Sequence, residues 1–328
     1  MTVVYFHRKN PHKYISIEAY FKNVRKHLPA NVKAVVAESR FYSQGLLKRV
    51  YNVLEAACRQ GDVNHITGDV HFLALLLKKK KTILTIHDLV FLQHPSPFAR
   101  AILKYFWLTM PVNRVEKITA VSTATKNDII RHTGCSPSKI TVIPTCIGVH
   151  FKRVDKPFNT TKPVILQVGT AENKNCIRMA NALKGINCRL EIIGKPTEPY
   201  MKVLKDCNIE YNVSSHLSDA EMLQKYIDCD ILLFASTYEG FGMPIIEANT
   251  VGRVVITSNC SSMPEVAGDA AVFVDPFCVD SIRQGILKTI AQSEFREGII
   301  DKGLVNAKRF QLKEVAKQYV NIYYSLAS

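Results

Sequence analysis

Two series of short apolar runs, each alternating with amphipathic stretches, limit what this 328-residue chain can fold into. The first series is 3–6, 34–36, 82–86, 117–121 and 140–143; the second is 163–168, 188–193, 231–234, 253–256 and 271–274. Runs this short and this uniformly apolar read as strands covered on both faces. Between them 17–27, 126–132, 176–183 and 220–227 carry apolar positions at helical spacing. Such alternation predicts an α/β chain of parallel sheets wrapped by helices, and two series predict two doubly wound domains. Polar residues over 148–162 mark the join. The expected division is 1–152, then 153–311, with a terminal helix over 312–328 that packs back toward the N-terminal domain.

No apolar stretch approaches the roughly 20 residues of a membrane span. Arg8, Lys9 and Lys13 break the opening residues, which therefore lack the apolar segment of a secretory leader. A cytoplasmic location is the expectation. Nine cysteines, an odd number without a Cys-x-x-Cys pair, favour neither a disulfide framework nor a thiolate zinc site. The ten histidines include no His-Glu-x-x-His helix, and no metal is expected.

Charge divides the chain unevenly. Residues 1–152 hold 23 Lys and Arg against 8 Asp and Glu, whereas 153–328 hold 20 of each. One reading is a solvated surface. The other is a half that faces an anionic partner, such as phospholipid headgroups or a lipid pyrophosphate, which would place the protein peripherally on the inner face of the plasma membrane. Lys78, Lys79, Lys80 and Lys81 follow the apolar run 72–77, which suggests a membrane-facing edge there. Nucleic acid is not expected, because no helix-turn-helix, zinc finger or aromatic-glycine RNA motif is present.

The segment Ser236-Thr237-Tyr238-Glu239-Gly240-Phe241-Gly242-Met243-Pro244-Ile245-Ile246-Glu247-Ala248 carries the chemistry. It follows the strand at 231–234, and ligands of open parallel sheets bind at carboxyl ends of strands. Gly240 and Gly242 allow close backbone approach to a ligand, and Pro244 suits the first turn of a helix with its positive end toward a phosphate. Glu247 is placed on that first turn. Two carboxylates around a glycine turn suit a phosphorylated sugar: amides for phosphate, carboxylates for hydroxyls. A capping glycine turn with solvated glutamates is the plain alternative.

Glu-Gly-Phe-Gly-Met-Pro-Ile-Ile-Glu-Ala resembles the signature of glycosyltransferase family four, retaining enzymes of the GT-B fold with two Rossmann-like domains facing across a cleft. The resemblance implies that Glu239 contacts the transferred sugar and Glu247 the ribose. It further implies that Gly240, Phe241, Gly242 and Met243 meet the sugar and diphosphate. Val168-Gly169-Thr170-Ala171-Glu172-Asn173-Lys174-Asn175 resembles a second family segment, which implies that Lys174 binds the donor diphosphate and that Gly169 and Thr170 are donor-binding; Asn173 stands where the family has arginine. Thr85-Ile86-His87-Asp88-Leu89 resembles a third, whose histidine lies near the reacting sugar. The first loop departs most. There Ser16 is expected to cap a helix and, with Arg8, Lys9 and Lys13, to serve the acceptor side, to which Asp88 beside His87 also belongs. Residues 258–266 and Val274-Asp275-Pro276 also resemble the family and are read as architectural.

The implied reaction is transfer of a sugar from a nucleotide-sugar donor to a saccharide or lipid-linked saccharide, in cell-surface polysaccharide synthesis, with retention and without metal or other cofactor. Glu239, His87 and Lys174 are its expected catalytic residues. Two other classes stay open: a nucleotide-sugar epimerase of related architecture, and a non-catalytic protein that binds anionic ligands. Asp228-Cys229-Asp230 fits the metal-binding Asp-x-Asp pattern of another glycosyltransferase class, but it precedes a strand and so sits at the wrong end of the sheet.

Overall fold

The computed structural model describes residues 1–9, 16–148 and 150–327, without the Ser16 side chain. The described chain divides into two compact units, 1–146 with 312–328, and 147–311.

The first unit runs β1 (Thr2–His7), α1 (Ser16–Lys26), β2 (Lys33–Glu38), α2 (Leu46–Cys58), β3 (Val63–Ile66), β4 (Thr82–Ile86), α3 (Pro97–Lys104), a π-helical turn (Tyr105–Thr109), α4 (Met110–Arg114), β5 (Lys117–Ala120), α5 (Thr123–Thr133) and β6 (Ile140–Val142). Its strands form one parallel sheet in the order β2-β1-β3-β4-β5-β6. Reversal of direction at β1 sends connecting helices to both faces, the arrangement that opens a crevice at strand carboxyl ends. Burial follows position: β4 is enclosed throughout, whereas edge strand β2 is covered only at Ala37. β3 lies outside the apolar runs because Asn64 and His65 interrupt it. Both are buried and bonded, His65 to Tyr323 Oη (2.7 Å) and Thr85 Oγ1 (2.7 Å). Buried polar groups need such partners, and a four-residue strand that contains two of them has no apolar signature.

The second unit runs β7 (Val164–Val168), α6 (Cys176–Leu183), β8 (Arg189–Ile193), α7 (Glu198–Asp206), β9 (Glu210–Ser214), α8 (Asp219–Asp228), β10 (Ile231–Phe234), α9 (Met243–Val251), β11 (Val254–Ser258), α10 (Met263–Ala267), β12 (Val272–Val274), α11 (Val279–Ala291) and α12 (Ser293–Ala307). Its parallel sheet has the order β12-β11-β10-β7-β8-β9. β9 also escapes the apolar pattern, since Glu210, Asn212 and Ser214 alternate along an edge strand with little buried surface. Ser218 and Glu221 form a reciprocal capping box that starts α8, which fixes the direction from which α8 reaches the site.

Helix α13 (Leu312–Ala327) belongs to the first unit. Val315, Tyr319 and Tyr323 pack with Tyr5, Tyr20 and Phe21 in one apolar cluster, and Tyr323 bonds His65. Of the run 72–77, Phe72, Leu73, Ala74 and Leu77 enter the core, and only Leu75 and Leu76 face outward beside the lysines. Lys79, Lys80 and Lys81 form a short turn just before β4.

Candidate donor site

β10 is fully buried and delivers the chain to a loop that ends at α9. Gly242 occupies the position before the first helical residue with φ 107°, a conformation that glycine adopts freely and side-chain-bearing residues resist. The loop after β11 braces this turn. Ser261 Oγ donates to Glu239 O (2.8 Å), and Ser262 Oγ reaches Glu239 O (2.9 Å) and Phe241 O (2.7 Å). Ser258 Oγ also donates to Ser236 O (2.5 Å). Carbonyls held from the β11 side fix the peptide planes of the turn. The first turn of α9 then presents the Met243 amide, which helical geometry leaves without an intrahelical acceptor.

The loop after β7 is knitted to the same turn. Asn175, in the left-handed region at φ 59°, donates to Ala235 O (2.9 Å) and Pro276 O (2.6 Å). Asn173 donates from its amide to Tyr238 O (2.9 Å) and accepts Thr237 N–H at its own carbonyl (2.8 Å). Asparagine in the family's arginine position is therefore a crosslink between two loops. Lys174 projects over Gly169, whose φ is 88° and where an added Cβ would lie 2.9 Å from Lys174 Cε. Its ammonium meets Glu239 Oε1 at 2.6 Å, with the Phe234 ring 5.0 Å away. Thr170 turns aside, its hydroxyl donated to Lys195 O (2.8 Å). A cation and a carboxylate from two loops thus satisfy each other at the carboxyl ends of β7 and β10.

Glu247 lies on the second turn of α9, not the first, because the helix begins at Met243. Its Oε2 accepts a hydrogen bond from Tyr226 Oη of α8 at 2.6 Å. Tyr226 is fully buried, edge-on to Phe151 at 5.6 Å. Burial pushes the Glu247 carboxyl up to about 7; the Tyr226 hydrogen bond works against that shift and the Asp219 charge adds to it. Burial also pushes the Tyr226 hydroxyl well above its ordinary range, so the proton stays on the phenol. The two glutamates of the motif therefore differ in kind: Glu239 is ion-paired and Glu247 is held by a neutral donor.

Asp230 of the Asp-x-Asp pattern is a structural clamp at the amino end of β10. It pairs with Lys156 and accepts Val164 N (2.8 Å) and Asn159 N (3.2 Å). Asp228 accepts from Gln224 (2.8 Å). Among the described residues no cluster of three or more His, Cys, Asp and Glu gathers to hold a metal.

In the first unit the candidates collect at the carboxyl ends of β1 and β4. His87 meets Thr67 O at 2.8 Å through Nε2, and since a carbonyl only accepts, Nε2 carries the proton. Burial lowers the His87 pKa, which keeps the ring neutral. Arg8 is turned to carboxylates instead of standing open to an acceptor phosphate: Nε bonds Glu18 Oε1 (3.0 Å) and Nη1 pairs with Asp69. Lys9 donates to Arg40 O (3.0 Å), and Asp88 accepts Val90 N (3.0 Å) in a local turn. Ser16 is the first residue of α1, its side chain outside the described residues, and Lys13 lies outside them too.

Tyr226, Asn173, Asn175, Ser261 and Ser262 escaped the sequence reading as working parts. The serines stand in a stretch read as architectural, which they are, for the glycine turn itself. Tyr226 had no local signal, because its partner is 21 residues away.

Residues 149–304 match the family described as glycosyl transferases group 1, and residues 2–150 match glycosyltransferase family 4. The O-antigen chain mannosyltransferase B of Escherichia coli is 37% identical over 108 residues, 33% of this chain and 28% of that protein. The MMP alpha-(1->4)-mannosyltransferase of Mycolicibacterium hassiacum is 25% identical over 224 residues, 64% of this chain and 54% of that protein. The chain thus spans between about a quarter and half of the length of these curated relatives. In fold it is similar to Anabaena HepE, solved in complex with UDP-glucose, with a TM-score of 0.77 at 14% identity over 99% of this chain and 100% of that one.

Proposed function

Because the chain belongs to the group 1 glycosyltransferases of family four, we propose that it moves a sugar from a nucleotide-sugar donor to a saccharide or lipid-linked saccharide in cell-surface polysaccharide synthesis. The observation that carries this reading is the 2.6 Å pair of Lys174 and Glu239 beside the braced glycine turn. Each member has a substitute in the donor: a diphosphate for the ammonium, a sugar hydroxyl for the carboxylate. Donor binding exchanges one internal ion pair for two external contacts, so neither charge is left unmatched.

In the proposed reaction Lys174 and the Phe241, Gly242 and Met243 amides stabilise charge that develops on the leaving diphosphate. Donors oriented before the reaction do this at little reorganisation cost. Glu239 orients the sugar and Glu247 holds the ribose. The leaving phosphate accepts the proton of the incoming hydroxyl on the same face, which retains configuration without a protein nucleophile. Lys174 supplies the positive charge that a metal provides elsewhere. His87 is proposed beside the reacting sugar, with Arg8, Lys9 and Asp88 on the acceptor side. The relatives named above are mannosyltransferases, so a mannosyl donor comes first among those to test.

A thermal-shift panel of uridine and guanosine diphosphate sugars tests the donor reading. One donor at a hundred times its Kd is expected to stabilise the protein by about 2.7 kcal/mol. Proton NMR of the product then reads the anomer, and an inverted product overturns the proposed mechanism. Epimerised free donor without acceptor turnover points to the epimerase. Stabilisation by nucleoside diphosphate that survives Glu247→Ala places the ribose elsewhere.

A further inference from the structure

Helix α3 contributes no buried residue to the protein, although Pro97-Phe98-Ala99-Arg100-Ala101-Ile102-Leu103-Lys104 is mostly apolar. Phe98 is 77% exposed, and Ile102, Tyr105 and Phe106 continue the exposed stripe into the π-helical turn. Their spacing keeps them on one helical face. Helix α2 repeats the pattern. It turns Val53 and Ala56 into the core, while Leu46, Leu47, Val50, Tyr51 and Leu54 face outward, Leu47 at 85% exposure. A helix apolar on both sides is ordinarily covered on both. The Arg49 guanidinium stacks 4.8 Å from the Trp107 ring and so joins α2 to the π-helical turn. That contact sets α2 beside the turn into which the second stripe runs.

Charge identifies what covers the two stripes. Residues 39–54 and 89–115 hold Arg40, Lys48, Arg49, Arg100, Lys104 and Arg114 and not one Asp or Glu, and the carboxylate of α2, Glu55, is largely covered and pairs with Arg59 (3.5 Å). A second copy on this face, related by a twofold axis, would set like charges against each other. An anionic lipid surface meets both needs: headgroups match the cations and the acyl boundary takes the apolar side chains. We propose that α2 and the α3–π segment dock the protein on anionic membrane, with Leu47, Phe98 and Ile102 inserted and Lys48, Arg100 and Lys104 at headgroup level. The surface relocates membrane contact from Lys78–Lys81, whose preceding apolar run is largely core. It stands independently of the donor reading.

Trp107 is the only tryptophan, and its Arg49 contact makes it a reporter for this surface. The full chain is mixed with phosphatidylcholine vesicles, with or without about a third phosphatidylglycerol, at low and high salt. Trp107 emission is expected to blue-shift and to be quenched by lipids brominated near the headgroup end, on anionic vesicles only and less at high salt. Leu47→Asp with Phe98→Asp should lower sedimentation with vesicles at least about tenfold, and each of Arg100→Glu and Lys104→Glu about fivefold. Lys79→Glu with Lys80→Glu should change it less than about twofold. Melting temperatures confirm folding, as all these side chains face solvent or nearly so. Absent binding, equal binding to neutral vesicles, binding without Trp107 quenching, or a stronger loss from the Lys79 and Lys80 changes overturns the proposal. So does a dimer that Leu47→Asp with Phe98→Asp dissolves.

Discussion

The loops at the carboxyl ends of β7, β10 and β11 and the outward face of α2 and α3 are opposite solutions to exposure. Around the loops polar groups find partners on neighbouring elements: Lys174 with Glu239, Asn173 with Tyr238 and Ser262 with Phe241 between loops, and Tyr226 of α8 with Glu247 of α9. On the helices, apolar side chains stand in solvent among cations that outnumber the carboxylates. The first region is finished before its ligand arrives and changes partners when it does. The second is unfinished, and its missing component is a surface. Geometric precision belongs to chemistry on a small molecule, whereas a fluid bilayer asks only for area and charge.

The largest expected effect breaks the finished region at its ion pair. Lys174→Ala should lower kcat/KM by about 10²–10³, the scale for loss of one oriented donor to developing charge, and Glu239→Gln should mainly lower kcat. A two-variable cycle of Lys174→Ala and Glu239→Gln, measured by steady-state kinetics, sharpens the point. If the pair were merely structural, both variants would lose melting temperature together and retain turnover in the folded fraction.

Glu247 gives the next effect, and its sign is distinctive. The folded pKa, about 7, lies above the ordinary carboxylate value of 4.5, so the native state holds the proton more tightly than the unfolded chain. Stability from this group is fully present below about pH 4.5 and is lost as pH rises through 7. Glu247→Gln should therefore be more stable than the parent at pH 8, by on the order of 1–3 kcal/mol, and the gap should close by pH 5. Nucleoside diphosphate affinity should move the other way: the ionised carboxylate accepts ribose hydroxyls, so parent affinity falls as pH drops below 7, and Glu247→Gln is weak and pH-independent there. Calorimetric titration and melting across pH 5–8 read both. Tyr226→Phe removes the hydrogen bond that opposes the shift and should raise the midpoint of the affinity profile.

These two regions were legible in the sequence to different degrees. The glycine turn was readable because Gly242 and Pro244 constrain the backbone locally, and because a strand of four buried apolar residues precedes it. The parallel sheets were readable wherever strands are buried on both faces, as at β4 and β10. β3 and β9 were not, since one uses bonded polar residues in the core and the other is an exposed edge. The place of Glu247 was misread because the helix begins at Met243, ahead of Pro244, so that Glu247 is its fifth residue and falls on the second turn. The fate of the apolar run at 72–77 was not legible either. Composition shows that 72–77 and 97–104 are both apolar, but only tertiary packing decides that the first enters the core and the second does not.

The smallest expected effect lies at Arg8, which carries the logic of the finished region into the first unit. With Nε on Glu18 and Nη1 on Asp69, one cation already faces two carboxylates, and the trio is net negative. Among the described residues Glu18 Oε2 is buried without a hydrogen-bond partner, which makes the arginine the main relief for that charge. Arg8→Gln should therefore cost about 1 kcal/mol of stability and change acceptor KM less than about threefold, with donor affinity unaltered. Restoration of stability by the added change Glu18→Gln would show that Arg8 acts through its carboxylate. A rise of about tenfold or more in acceptor KM at unchanged melting temperature would instead return Arg8 to the acceptor phosphate. It would also assign part of the cation excess of the first half to a bound substrate.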